Sequence, residues 1–331
     1  MTRKKWVWAA LAAGAGLVLF LRSGTLLLWA AGHDYTSLAS VSLRLRENPN
    51  ARDGHGRTAL MVTADRGNAL LAQDLLRRGA RVDAEDEEGN EVMYYARCWR
   101  DPGKQIARIL LERGADANSK NHQGRTPLMQ AAWYHDLIAT RDLLQGGARI
   151  DAADEKGRQA LHYAAGSHDE SGEVVRLLLR SGADPNARTK DGDVPLILSI
   201  SEMSGATEAN ALQLIAVTQD INYRDSVTRE TALAIAASEA SSKVMESLLK
   251  AGANPNIPEV HGRLPIQIVG DDPFRVKLLL EYGADPFLNC GESPSAYDAM
   301  KESHLRPDLL AMMEDARPAL SKRPPRNCGK T

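Results

Sequence analysis

The sequence predicts an all-α repeat solenoid, a stack of helix–turn–helix units joined by short β-hairpin-like turns. Three observations predict it. Two short signatures recur in phase along most of the chain, one before each helix pair and one after it. Each copy carries the capping chemistry of a helix start or a helix end. Aromatic residues make up only 5% of the chain, which suits a core of closely approaching Ala and Leu side chains.

Residues 125–152 are the clearest copy. Thr126 can cap a helix through its hydroxyl, and Pro127 fits the first helical position, where no N–H is needed. Leu128, Ala131 and Ala132 form a small-residue face for an inner helix, and Ile138, Leu143 and Leu144 the apolar side of an outer one. Gly147 stands where a left-handed residue ends that helix. Neither helix can bury its face alone, so the unit requires stacked neighbours.

Ahead of the repeats, Arg3-Lys-Lys5 precedes sixteen uncharged residues, Trp6–Leu21; Arg22-Ser-Gly-Thr25 interrupts the run and Leu26–Gly32 resumes it. A basic start before an apolar stretch reads as an export signal, kept as a membrane anchor or cleaved near Ala30-Ala31-Gly32. A helix from Trp6 to Trp29 would rise about 35 Å, one tilted bilayer. On this reading residues 1–32 are a signal-anchor or signal peptide with a cytoplasmic N-terminus. The rest of the chain then lies outside the cytoplasm, in the periplasm or secreted if the signal is cleaved, and a prokaryotic envelope is the expected setting.

The leading glycines fall at Gly56, Gly89, Gly124, Gly157, Gly192 and Gly262, with Arg229 in the same phase. The helix-ending glycines fall at Gly79, Gly114, Gly147, Gly182, Gly252 and Gly283, and steps in both registers are near 33 to 35 residues. In phase with them recur Arg125-Thr-Pro-Leu128, Arg158-Gln-Ala-Leu-His162, Gly114-Ala-Asp-Ala-Asn118 and Gly182-Ala-Asp-Pro-Asn186. These segments resemble ankyrin repeats, whose pattern is a turn, Gly-x-Thr-Pro-Leu-His, two helices and Gly-Ala-Asp-x-Asn. The resemblance covers roughly 36–317 and implies a repeat domain over 33–317. Seven repeats lie near 53–85, 86–120, 121–153, 154–188, 189–225, 226–258 and 259–288, between caps at 36–52 and 289–317. Thr218 and Arg229 replace expected glycines, so a looser joint is expected around 200–230. The last segment, 318–331, reads as a disordered basic tail.

The body from 33 to 317 carries 33 basic against 43 acidic residues, which argues against nucleic-acid binding because phosphate neutralisation needs clustered cations. Cys98, Cys290 and Cys328 have no metal-ligand spacing, so neither a metal nor a cofactor is expected. Pairing of Cys290 with Cys328 and three unpaired thiols both remain open. No nucleophile elbow, Walker loop or paired-carboxylate motif is present, so the chain is not read as an enzyme. The resemblance gives His162 a structural hydrogen-bonding role.

It also implies that partners meet the hairpin tips, the residue before Thr-Pro and the end of the inner helix. Those positions give the candidate contact residues Trp99, Trp133, Tyr134, Arg125, Arg158, His122 and Arg66. Large aromatic and arginine side chains are the usual anchors of protein interfaces. The alternative for Trp99 and Trp133 is mutual packing over an inserted turn. The expected function is therefore protein binding through the concave ankyrin surface, recruiting or stabilising an envelope protein. Alternatives are an immunity-type inhibitor of a toxin or enzyme, and an enzyme with an unrecognised site in the groove.

Overall fold

The computed structural model describes residues 25–33, 35–44, 48–96, 106–168, 171–201, 208–225, 229–239, 241–290, 294–303 and 306–320. Among these residues the only regular elements are helices, and the chain divides into two compact units, 1–155 and 156–331.

The first unit contains α1 (Thr25–Gly32), α2 (Thr36–Arg44), α3 (Ala59–Asp65), α4 (Ala69–Arg77), a 3₁₀ turn (Val92–Tyr95), α5 (Ile106–Glu112), α6 (Pro127–Trp133) and α7 (Leu137–Gln145). α1, α3, the 3₁₀ turn and α6 form an inner row, while α2, α4, α5 and α7 form an outer row. The second unit repeats the plan. Its inner row is α8 (Ala160–Ala165), α10 (Pro195–Ser201), α12 (Ala232–Glu239) and α14 (Pro265–Ile268). Its outer row is α9 (Glu173–Arg180), α11 (Glu208–Ile215), α13 (Ser242–Lys250) and α15 (Pro273–Glu281), followed by α16 (Ala296–Ser303) and α17 (Pro307–Leu320).

α1 corrects the membrane reading. Its eight residues are the second half of the apolar run, yet Leu26, Leu27, Ala30 and Ala31 are all buried, packed on α2 and α3. The apolar side chains face the repeat core, so Thr25–Gly32 serves as the inner helix of a leading repeat. No described helix is long and apolar enough to cross a membrane. That finding contradicts the expected single-pass or periplasmic localisation. Trp6–Leu21 lies outside the described residues.

The first three repeats each start in a hairpin whose first side chain caps its own tip. The Asp53 carboxylate accepts the His55 and Arg57 N–H groups, both at 2.9 Å. Asp86 accepts those of Glu88 and Asn90, and Asn121 those of Gln123 and Arg125. Burial would raise the Asp53 pKa, but these N–H bonds and the Arg57 guanidinium outweigh it and hold the carboxyl below its ordinary value. Neighbouring tips then join through the backbone: His122 N–H donates to Glu88 O at 2.9 Å, and Glu155 N–H to Gln123 O at 3.1 Å. Gly89, at φ +76°, permits this close approach. A Cβ there would lie 2.6 Å from the His122 ring.

At the other end of the repeat, asparagines tie one unit to the next. Asn118 donates to Gly147 O at 3.1 Å and accepts the Arg149 N–H at 2.7 Å. Asn50 and Asn256 make the same pair of bonds to Gly79 and Arg81, and to Gly283 and Asp285. This ladder gives the recurring Gly-Ala-Asp-x-Asn signature a physical role. His162, 2% exposed, binds Ala187 O through Nε2 at 3.1 Å and accepts the Gln159 N–H at Nδ1. A carbonyl can only accept, so Nε2 carries the proton. The histidine is a structural tie.

The expected loose joint near 200–230 is bonded in its described parts. Thr218 donates its hydroxyl to Leu214 O at 2.8 Å, and Arg224 donates to Arg229 O and to Pro258 O. Arg229 adopts φ +54°, keeping the left-handed turn that glycine makes elsewhere. The sixth hairpin opens at Asp225 and is one residue longer: its N–H reaches Glu230 O, five residues on, where Asp53 reaches Arg57. Cys290 is disulfide-bonded, which rules out three unpaired thiols. Cys98 and Cys328 lie outside the described residues.

Candidate functional site

α6 and the hairpin before it assemble the candidate surface in the first unit. Thr126 caps the helix by accepting the Met129 N–H at 3.4 Å, and Pro127 occupies its first turn. Leu128, Met129, Ala131 and Ala132 face the core. Helical periodicity then turns the end of α6 outward. Trp133 is 44% exposed and Tyr134, the C-cap, 42%.

Arg125 precedes the capping threonine, and its N–H is held by Asn121 Oδ1 at 2.9 Å. Its guanidinium donates to the Tyr94 hydroxyl. Burial raises the Tyr94 pKa, the Arg125 contact opposes that rise, and Tyr134 adds to it, which places all three side chains in one neighbourhood. Arg125, Tyr94 and Tyr134 thus share one neighbourhood spanning the second and third repeats, and Trp133 precedes Tyr134 at the end of α6.

Tyr94 was absent from the candidates taken from the sequence. It lies inside the 3₁₀ turn rather than at a helix end, and no motif flags it. Beside it Tyr95 donates to the Asp86 carboxylate and meets Tyr94 edge-on, with ring centroids 5.9 Å apart.

His122 lies exposed on the third tip, its ring covering Gly89. Arg66 is the half-buried C-cap of α3, two repeats from Trp133. Arg158 belongs to the second unit, where its guanidinium stacks over Tyr163 at 4.7 Å. Trp99 lies outside the described residues. No group of three His, Cys, Asp or Glu side chains able to hold a metal occurs among the described residues.

One residue beside the patch is conformationally unusual. His135 has φ +55°, a left-handed conformation. Gly67 holds the equivalent place in the first repeat at φ +70°. The flanking bonds match: Gly67 N–H to Ala64 O and Asn68 N–H to Thr63 O, against His135 N–H to Ala132 O and Asp136 N–H to Ala131 O.

Cavities also open on the described surface. One, about 310 Å³, is lined by His55, Arg57, Asp86, Glu87, Glu88 and Tyr95 at the first two tips. Another, about 400 Å³, lies between the four-residue α14 and α16, with Ile266, Ala296, Ala299 and Met300 in its wall. The shortness of α14 leaves that space unfilled.

Comparison with known proteins agrees with this geometry. The family model "Ankyrin repeats (3 copies)" matches residues 26–121, 98–189 and 167–259, beginning inside α1. Mouse ankyrin repeat and SOCS box protein 16 is 29% identical over 264 residues, 74% of this chain and 57% of that protein. Mouse NF-kappa-B inhibitor delta is 31% identical over 115 residues, 35% of this chain and 33% of that protein. E3 ubiquitin-protein ligase KEG of Arabidopsis thaliana is 25% identical over 291 residues, 84% of this chain but 15% of that protein. The chain therefore spans less than two thirds of the length of these relatives. Repeats of this kind are protein-interaction modules, and the model covers most of the chain, which belongs to the ankyrin-repeat family.

Proposed function

We propose that this chain binds one partner protein through the patch of the second and third repeats, with Trp133 and Tyr134 as its anchors. The observation that carries the proposal is their exposure, 44% and 42%, at the end of a helix whose other apolar residues are buried. A soluble fold gains nothing by presenting two large rings to water, whereas an interface gains their area on binding. Arg125 and Tyr94 supply the polar handles beside them. A framework held by tip bonds and the asparagine ladder keeps the patch preorganised, which lowers the entropy cost of binding. Such a module recruits its partner or occludes it.

The test is a double variant, Trp133→Ala with Tyr134→Ala, compared with wild type in partner recovery and in thermal melting. Recovery is expected to vanish while the melting temperature moves by no more than a few degrees. Undiminished recovery would remove these residues from the interface, and collapse of the fold would assign them to the core.

A further inference from the structure

Within the second unit the fifth and sixth repeats meet through an acidic version of a contact that the first unit makes with amides. Asn90, the residue after the tip glycine Gly89, accepts a buried 3.0 Å hydrogen bond from Asn121, which opens the next hairpin. The same two positions in the second unit hold Asp193, after Gly192, and Asp225, which opens the sixth hairpin and is 4% exposed. The Tyr223 hydroxyl, donating to Gly192 O at 2.6 Å, draws the two hairpins together here, so Asp193 and Asp225 stand where the two asparagines stand, near enough for Asp225 to act on the Asp193 carboxyl.

Two ionised carboxylates so placed repel and neither has a donor, so the amide pair's bond can form here only when one of them holds a proton. Asp193 is that one. Burial raises its pKa first, the Asp225 carboxylate raises it further, and Asp191 adds to the rise against an opposing contact from Thr189. Its backbone is fixed independently, with N–H to Thr189 Oγ1 at 3.0 Å.

Lys190 and Asp191 flank Asp193 on its own hairpin, and Arg188 stacks over Tyr223 at 4.5 Å. The preceding hairpin brings Lys156, whose carbonyl accepts the Lys190 N–H. From the following hairpin, the Tyr223 hydroxyl donates to Gly192 O at 2.6 Å, and Arg224 is committed to Arg229 O and Pro258 O. Arg229 and Glu230 complete that turn. The helix that follows Asp193, α10, contributes no titratable side chain, and α12 only Glu239 at its far end.

We propose that the joint between the fifth and sixth repeats is a proton-dependent latch, closed while Asp193 is protonated and weakened by charge repulsion from Asp225 once it ionises. The sign follows from linkage. A carboxyl that holds its proton more tightly in the folded state than in the unfolded one adds stability at low pH. That contribution is lost as pH rises through the folded value. Contacts in a repeat array are between nearest neighbours, so a weakened joint lets the flanking repeats open independently.

The test is thermal melting of the full chain and its Asp193→Asn variant between about pH 4 and about pH 8, a range spanning the ordinary carboxyl value and neutrality. The amide supplies a permanent donor, so the variant is expected to melt several degrees higher at the upper end, with the gap closing towards the lower end. A gap independent of pH, or a variant that melts lower at pH 8, would overturn the latch. A second measurement, the carbon-13 titration of the Asp193 carboxyl in the wild type, needs no variant. Titration above the ordinary aspartate value supports the proposal, and titration at or below it refutes it.

Discussion

Asn118→Ala probes what couples one repeat to the next. The substitution deletes two hydrogen bonds that cross from the second repeat to the third, to Gly147 O at 3.1 Å and from the Arg149 N–H at 2.7 Å. Each bond contributes about 0.5–1.5 kcal/mol net, so the pair is worth about 1–3 kcal/mol. Gly147 and Arg149 are exposed, so water satisfies the groups left behind. The loss therefore falls in the lower half, about 1–2 kcal/mol. Both repeats keep their own helices and caps, so the loss belongs to coupling between them. Urea unfolding of the full chain measures it. A loss below about 0.5 kcal/mol, the usual surface value, would mean that the asparagine ladder only accompanies the stacking.

Three further outcomes are expected. Leu178→Ala, at a fully buried position of α9, is expected to cost about 2–5 kcal/mol in the same assay, and a surface-sized loss would contradict its place in the core. His135→Gly releases about 1–2 kcal/mol of left-handed strain and gives back about 0.4–1 kcal/mol of unfolded-chain freedom, a net gain of about 1 kcal/mol seen as a higher melting temperature. A lower melting temperature would show that the imidazole stabilises the turn by more than its backbone strain. Burial would raise the Glu259 pKa, but the His261 and Arg263 N–H bonds and the Arg263 guanidinium bring it below its ordinary value. Its stability is thus present above about pH 4.3 and lost as pH falls through the depressed folded value, opposite in sign to Asp193. Melting curves of Glu259→Gln should lie below wild type near neutrality and merge with it in acid; a constant offset would contradict this.

The repeat framework was legible because it is local. Thr126, Pro127 and Gly147 announce helix ends by their own backbone chemistry, and the resemblance to the ankyrin pattern implied the structural role of His162. Leu26–Gly32 misled for an equally physical reason. An inner helix of a repeat, covered on most sides, is apolar all round, and over a few residues that composition matches half of a membrane span. Burial of Leu27 and Ala30 against α2 and α3 depends on neighbours that the segment itself does not name.

The candidate patch was half legible. Positional reasoning reached Trp133, Tyr134 and Arg125, but Tyr94 joins them through a bond across repeats. The Asp193–Asp225 contact was hidden in the same way. Its two residues are 32 positions apart, and the longer sixth hairpin conceals that Asp225, rather than a residue after it, opens the turn. Through-space pairs between adjacent repeats carry the information that a single repeat lacks.

Whether the chain holds a partner against Trp133 and Tyr134 is read out by a photo-reactive phenylalanine analogue placed at position 134 of the full chain and irradiated in its native cells. One discrete adduct with another protein is expected, lost when Trp133→Ala is added. No adduct above background, or an adduct indifferent to Trp133, would contradict it.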